Sequence, residues 1–203
     1  MVSGPSGVGK SSVVAGLAER LPFHFSVSMT TRPPRPGEAE GSDYFFVGRD
    51  RFLAARDAGE LLEWAEYSGH LYGTPRSQVE GPLAAGRDIL LDIELLGAQQ
   101  VKAAYPEALL VFVAPPSLEV LEARLRGRGQ DDEAAIRRRL AVAGREIDAF
   151  EQYDYAIVNE DLDASVEELK SIVRAARCRV AVMRDQARAI ERTFQSAKET
   201  RDA

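Results

Sequence analysis

The stretch Gly4-Pro5-Ser6-Gly7-Val8-Gly9-Lys10-Ser11 constrains this chain more than any other, because it fits the spacing G-x-x-x-x-G-K-[ST]. Glycines let the backbone curl so that successive N–H groups face an anion. Lys10 is placed to reach the outer phosphates of a nucleotide, and the Ser11 hydroxyl to bind Mg²⁺. A helix starting here adds the positive end of its dipole to the same spot. Val13, Val14, Leu17, Ala18 and Leu21 supply that helix with an apolar face. The plainer alternative is a glycine-rich turn ahead of an ordinary helix. The strand expected before the loop has only Met1, Val2 and Ser3 to draw on, whereas a buried strand usually has about five residues. The expectation is a natural chain that continues upstream of Met1, or a start set too late. The loop identifies a phosphate site and leaves the reaction open.

A second anion site is suggested further along. Phe23–Ser28 alternates weakly and reads as a strand. Residues 29–47 then hold Pro33, Pro34, Pro36, Gly37 and Gly41, which forbid a helix. The prolines stiffen the loop that displays Arg32 and Arg35, near Ser28 and Tyr44. Arginine's forked donors match phosphate, although a solvated basic loop is the plainer reading. Residues 49–59 read as a helix, and 60–67 with 68–74 as a hairpin turning at Ser68-Gly69. Glu63 sits beside Trp64, the only tryptophan. A carboxylate there can accept two hydrogen bonds from guanine, or it can simply be a surface residue.

Two buried strands read from continuous apolar runs, a parallel one over Asp88–Glu94 and another over Ala108–Ala114, and Tyr155–Val158 reads as a short strand. Asp92 and Glu94 are two apart, on one side of a sheet and at its carboxyl end, where open α/β sheets bind ligands. Residues 96–105 and 118–126 read as helices, the second capped by Ser117. From Arg124 to Arg145 the chain carries Arg124, Arg126, Arg128, Arg137, Arg138, Arg139 and Arg145. Arginines on a mobile lid can stabilise a migrating phosphoryl group; for Arg126, Arg138 and Arg145 a solvated face is preferred. Beyond Ala164 no Gly or Pro interrupts the chain, and Ser165 with Glu168 fits a capping box. Val166, Leu169, Val173, Ala176, Val180, Met183, Ala187, Ile190 and Phe194 form a heptad seam. Either its first half packs on the domain and the tail frays, or the helix joins a partner's helix.

Composition narrows the class. The 203 residues suffice for one α/β core with an insertion. A net charge of −6 argues against nucleic-acid binding as the main task. There is no membrane-length apolar run and no signal-peptide pattern. The single cysteine, Cys178, excludes an internal disulfide, lies in an expected helix, and suits a reducing cytoplasm. His24 and His70 give no metal-ligand spacing.

The segment Ser28-x-x-x-Arg32-x-x-Arg35-x-Gly37-Glu38-x-x-Gly41-x-x-Tyr44 is more specific than the phosphate loop. With it, residues 2–176 resemble a bacterial-type guanylate kinase. The resemblance implies a three-layer P-loop kinase fold of α/β class, with a central parallel sheet, an inserted GMP-binding region and a helical lid. In numbers, the core is 1–28, 86–126 and 151–179, the GMP region 29–85, the lid 127–150 and the tail 180–203. It implies that Ser28, Arg32, Arg35, Tyr44 and Tyr72 hold the GMP phosphate, while Glu63, Thr74 and Glu94 read guanine. Arg124, Arg128 and Arg139 match transfer and lid arginines, and Asn159 an adenine-side loop. The ATP site comprises Gly4 to Ser12, with Ser12 standing where Thr is common. Asp92 is similar to an acid near the metal and phosphates, acting on Mg²⁺ through water.

The implied reaction is Mg-ATP plus GMP giving ADP plus GDP, with no nucleic-acid or membrane partner. The state is monomer or homodimer, with a coiled-coil contact through the C-terminal helix as one route. A guanylate-kinase-like module that binds phosphopeptides without catalysis is the competing reading, although such modules commonly lack a working loop, and here Gly9, Lys10 and Ser11 are intact. A kinase for another acceptor is the third.

Overall fold

A computed structural model describes residues 1–67, 69–127 and 132–201. In chain order it runs β1 (Val2–Ser3), α1 (Lys10–Ala18), β2 (His24–Phe25), β3 (Ser28–Thr30), β4 (Tyr44–Phe46), α2 (Arg49–Asp57), β5 (Leu61–Tyr67) and β6 (His70–Pro75). There follow α3 (Glu80–Ala84), β7 (Ile89–Leu90), α4 (Leu95–Ala104), β8 (Val111–Ala114), α5 (Leu118–Gly127), α6 (Glu133–Asp148), β9 (Tyr155–Val158), α7 (Leu162–Arg177) and α8 (Val180–Arg201).

The core strands are all parallel: β2 with β7, and β8 with both β1 and β9. A bridge between Val2 and Asp92, with Val2 N–H donating to Leu91 O at 2.8 Å, joins the two groups in the order β2-β7-β1-β8-β9. Alternate residues of the strands face opposite layers. Leu90, Val111 and Val113 pack with Val13, Val14 and Leu17 of α1 and Val166 and Leu169 of α7. Leu91, Ile93 and Leu110 pack on the other side with Ala98 and Val101 of α4. Both faces of the central strands are covered, which is why those strands read as unbroken apolar runs, whereas Tyr155 and Val158 of the edge strand β9 are exposed. The chain order reverses at β1, so the crevice at its carboxyl end is a switch point, and the glycine-rich loop opens into it. β1 is as short as expected. The Met1 ammonium donates to Leu109 O at 2.7 Å, and burial lowers it to about 6.

A second sheet has the order β4-β3-β6-β5 and is mostly antiparallel. Phe52 and Ala55 of α2 close its core against Met29, Leu61 and Leu71. Here the reading of Phe23–Ser28 as one strand is corrected. Ser26 N–H makes a bond to Leu90 of the core at 2.9 Å, and two residues later Ser28 pairs with Tyr44 of the second sheet. Alternation cannot reveal that a chain has changed partners.

The C-terminal expectations also need correction. Asp161, not Ser165, caps α7, accepting from Ala164 N–H at 2.8 Å. Ser165 is fully buried inside the helix, its hydroxyl within 3.1 Å of Asn159 Oδ1. The single long helix breaks between Arg177 and Val180, leaving Cys178 exposed at the end of α7 rather than within a helix. Val166 and Leu169 of the seam are buried, whereas Val180 onward is exposed.

Candidate active site

The two groups of residues expected to bind anions face one open cavity of about 210 Å³. Pro5, Ser6, Gly7, Gly9, Lys10, Ser11 and Ser12 line one side. Ser28, Arg32, Arg35, Tyr44 and Tyr72 line another, with Glu63, Asp92 and Glu94 on the remaining wall.

The first grip is made of main chain. Gly9 ends the loop at φ 99° as the N-cap of α1, and a Cβ there would lie 2.5 Å from Asn159 Nδ2. At Gly4 (φ 139°) a Cβ would lie 2.2 Å from the Val113 carbonyl oxygen, so no other residue fits. Lys10 Nζ donates to Gly4 O and stands 3.9 Å from Asp92 Oδ1. Val8 turns its side chain into the core, while its carbonyl accepts from Asn159 Nδ2 at 2.7 Å and from Arg124 at 3.1 Å. Arg124 also donates to Asn159 O at 2.8 Å. Arg124 and Asn159 thus brace the loop from behind and are not on the cavity wall.

The second grip is made of side chains. Arg32 is 8% exposed and donates to Pro33 O at 2.7 Å and to Glu38 Oε1 at 2.8 Å. Its guanidinium lies over the Tyr44 ring at 5.3 Å, a cation–π contact. The other Glu38 oxygen accepts from Arg35 N–H at 2.7 Å. Burial opposes ionisation of Glu38, but the bonds from Arg32 and Arg35 outweigh it and hold the carboxyl below its usual range. Arg35's side chain is exposed to the cavity. Burial, helped by the charge of Asp92, pushes the Tyr44 hydroxyl up to about 12, so it stays a proton donor.

Glu63 is 4% exposed on β5, and Thr74 Oγ1 of the paired strand donates to its Oε1 at 2.6 Å. Thr74 itself is fully buried and off the wall; it aims the carboxylate instead. Burial raises Glu63, and the Thr74 bonds partly oppose this. Gly97 of α4 leaves the space: a Cβ there would lie 2.3 Å from Glu63 Oε2.

Asp92 is raised by burial, with Lys10 opposing and Glu94 adding to the effect. Its carboxylate and the Ser11 hydroxyl are hard oxygen donors at the mouth of the loop, which suits Mg²⁺. Among the described residues no group of three His, Cys, Asp or Glu could hold an ion by itself.

The sequence reading missed several wall residues. Ala65 and Tyr67 lie two and four beyond Glu63 on the same strand face and line the cavity; the period of two was the available signal. Glu146 was also missed. It and Arg139 are seven apart on α6, hence on one helix face, and both act on Tyr67, which burial and the charges of Glu94 and Glu146 push up while Arg139 opposes. Glu146 Oε2 is buried without a hydrogen-bond partner. Burial and neighbouring Glu94 push this carboxyl up to about 8. Arg126, by contrast, is spent on Glu122 and Glu133 at the surface, as expected of a solvated face. Arg128 lies outside the described residues.

Comparison with known proteins bears on this arrangement. A family model described as guanylate kinase matches residues 1–176. A guanylate kinase of Synechococcus sp. (strain JA-3-3Ab) is 53% identical over 174 residues, 85% of this chain and 80% of that protein. One from Aromatoleum aromaticum is 50% identical over 182 residues, covering 89% of each. The crystal structure of guanylate kinase from Anaplasma phagocytophilum aligns with a TM-score of 0.73 at 37% identity, covering 88% of this chain and 85% of that one.

Proposed function

The chain belongs to the guanylate kinase family, and we propose how its residues carry out that family's reaction. It is an ATP:GMP phosphotransferase, converting ATP and GMP to ADP and GDP. The observation that carries the assignment of roles is the facing pair of anion grips on one cavity.

The main-chain N–H groups of Gly4 and of residues 6–12, together with Lys10, hold the ATP phosphates, and Ser11 and, through water, Asp92 would hold Mg²⁺. The ion supplies charge neutralisation on the migrating phosphoryl group when bound. Arg32, Arg35, Ser28, Tyr44 and Tyr72 hold the GMP phosphate in line. Its oxygen is already anionic, so no general base is required, and positioning with electrostatics carries the rate. Ionised Glu63, aimed by Thr74, accepts from the guanine N1–H and amine, with Glu94 beside it. Adenine offers no such donor pair, and leaving a buried acceptor unpaired is costly. Arg139 works from α6 over the cavity, and Arg124 and Asn159 act by stiffening the loop. The lid is 127–150, the GMP region 29–85, and the core 1–28, 86–126 and 151–179. Closure of lid on GMP region excludes water, which would otherwise take the phosphoryl group.

We place the enzyme in the cytoplasm, in keeping with its lone exposed cysteine. No described helix is long and apolar enough to cross a membrane. Nucleotides are the ligands, and the state is monomer or homodimer, with α8 as the route to the latter. The test is GDP formation from ATP and GMP in a coupled assay, with AMP, UMP and dTMP as alternative acceptors. Strong preference for GMP is expected; equal use of AMP would sink the assignment of Glu63.

A further inference from the structure

Helix α8 lies beyond the residues matched by the family model, which end at 176. Every described side chain from Val180 to Gln195 is exposed. Yet Val180, Met183, Ala187, Ile190 and Phe194 recur at alternating spacings of three and four, which puts them on one side. Val180 is 82% exposed, Ile190 52% and Phe194 67%. An isolated helix is marginal in water and draws most of its stability from a packed apolar face. This one is 22 residues long, with its apolar stripe bare.

We propose that this stripe pairs, antiparallel, with the same stripe of a second copy of the chain. The proposal rests on the α8 contact given above and adds its direction and register. With Val180, Ala187 and Phe194 at a positions and Met183 and Ile190 at d, antiparallel packing sets each a against a d. Ala187 then stacks on the partner's Ile190, and Phe194 on the partner's Met183. Small meets large in one layer, and a flexible side chain meets a ring in the other. At the flanking e positions Arg184 meets the partner's Glu191, twice by symmetry. A parallel pair would instead stack Ala187 on Ala187 and Phe194 on Phe194, and would bring Gln186 rather than Arg184 to Glu191. Size and charge therefore select the same direction.

Sedimentation equilibrium of the full chain is the test. The wild type is expected to show the mass of two chains, and Ile190→Asp the mass of one, with the thermal unfolding transition of the kinase domain retained. Arg184→Glu and Glu191→Arg each set like charges together, and each should weaken dimerisation on the order of tenfold. Mixed in equal amounts, the two variants restore both ion pairs, so the mixture should associate as tightly as the wild type. A wild type of single-chain mass, or a dimer indifferent to Ile190→Asp, overturns the contact. A mixture no tighter than its components overturns the direction. Kinase assay of the same samples reads the catalytic roles separately, because none of these residues touches the cavity.

Discussion

The two anion grips meet across one cavity but are built on opposite plans. The Lys10 grip is backbone, locked by glycines whose Cβ positions are already occupied by Val113 and Asn159. It is braced again through the Val8 carbonyl. The Arg32/Arg35 grip is side chain, on a loop whose order depends on one carboxylate, Glu38, holding both arginines. The first is preorganised by the core and has little left to adjust. The second sits on the smaller sheet and owes its geometry to one largely buried ion pair, so the loss of a single carboxylate disturbs both arginines. A kinase needs one site that never moves and one that can follow its acceptor, and the contrast supplies both.

The largest effects should come from removing charge that develops or moves in the transition state. Lys10→Ala is expected to lower kcat by roughly a thousandfold or more, as is Arg35→Ala. Stability should change little, because neither side chain is part of a core cluster. Near-normal turnover of both variants in the coupled assay would break the two-grip scheme outright.

Next in size is the guanine-reading wall. Glu63→Gln should lower kcat/KM for GMP by about a hundredfold and reduce the preference over AMP, because an amide presents a donor where an acceptor is needed. Gly97→Ala should act in the same direction, since the new methyl would lie where Glu63 Oε2 stands. The pH dependence has a definite sign. Burial raises Glu63 above the usual carboxylate range, so protonation competes with guanine sooner as pH falls. GMP affinity should weaken toward acid while ATP affinity, set by the other grip, does not. Parallel weakening of both would mean that Glu63 is not the group being titrated.

How much of this was legible beforehand differs between the same two regions. Residues 4–12 carried a fixed spacing because main-chain anion binding tolerates few sequences. The second grip was legible as a proline-stiffened loop with two arginines near Ser28 and Tyr44, and in the motif that runs from Ser28 to Tyr44. Tyr72 was reached only through the family resemblance, because it joins them by the pairing of β3 with β4 and β6, which no local pattern announces. Asn159 and Arg124 were expected on the nucleotide, and their bracing of Val8 depends on contacts over more than 30 residues between the two and 116 or more back to the loop. Glu146 was invisible because a glutamate on an amphipathic helix looks solvated until another element covers it. The change of sheet after Ser26 and the break at Cys178 fail for a related reason, since neither falls at a Gly or Pro.

A smaller change probes the side-chain grip alone. Glu38→Gln removes the charge that fixes Arg32 and weakens the hold on the Arg35 N–H. KM for GMP should rise about tenfold with kcat nearly unchanged, because orientation of the ground state is lost while the transferring charges remain. KM for ATP should not move. A fall in KM for GMP would mean that Glu38 competes with the phosphate for Arg32 instead of organising it.

The smallest effect concerns the face of α6 that carries Glu146 beside Glu94 and Tyr67. Glu146 is held at about 8 by burial and Glu94, and Lys10 only partly relieves it. A carboxyl raised in the fold binds a proton that the unfolded chain has already lost. Its stabilising share is therefore complete below the ordinary carboxylate range and disappears as pH rises through about 8. Glu146→Gln keeps the neutral shape at every pH. The variant should match the wild type near pH 5 and exceed it near pH 8 by ~1–3 kcal/mol, a figure reduced for the partial exposure of the side chain. The Met1 ammonium, lowered to about 6 by burial, works in the opposite sense, its stability contribution growing above that pH. It is common to both proteins, so urea unfolding of the pair at the two pH values isolates Glu146. Equal pH slopes would show that the Glu94–Glu146 contact does not persist in solution.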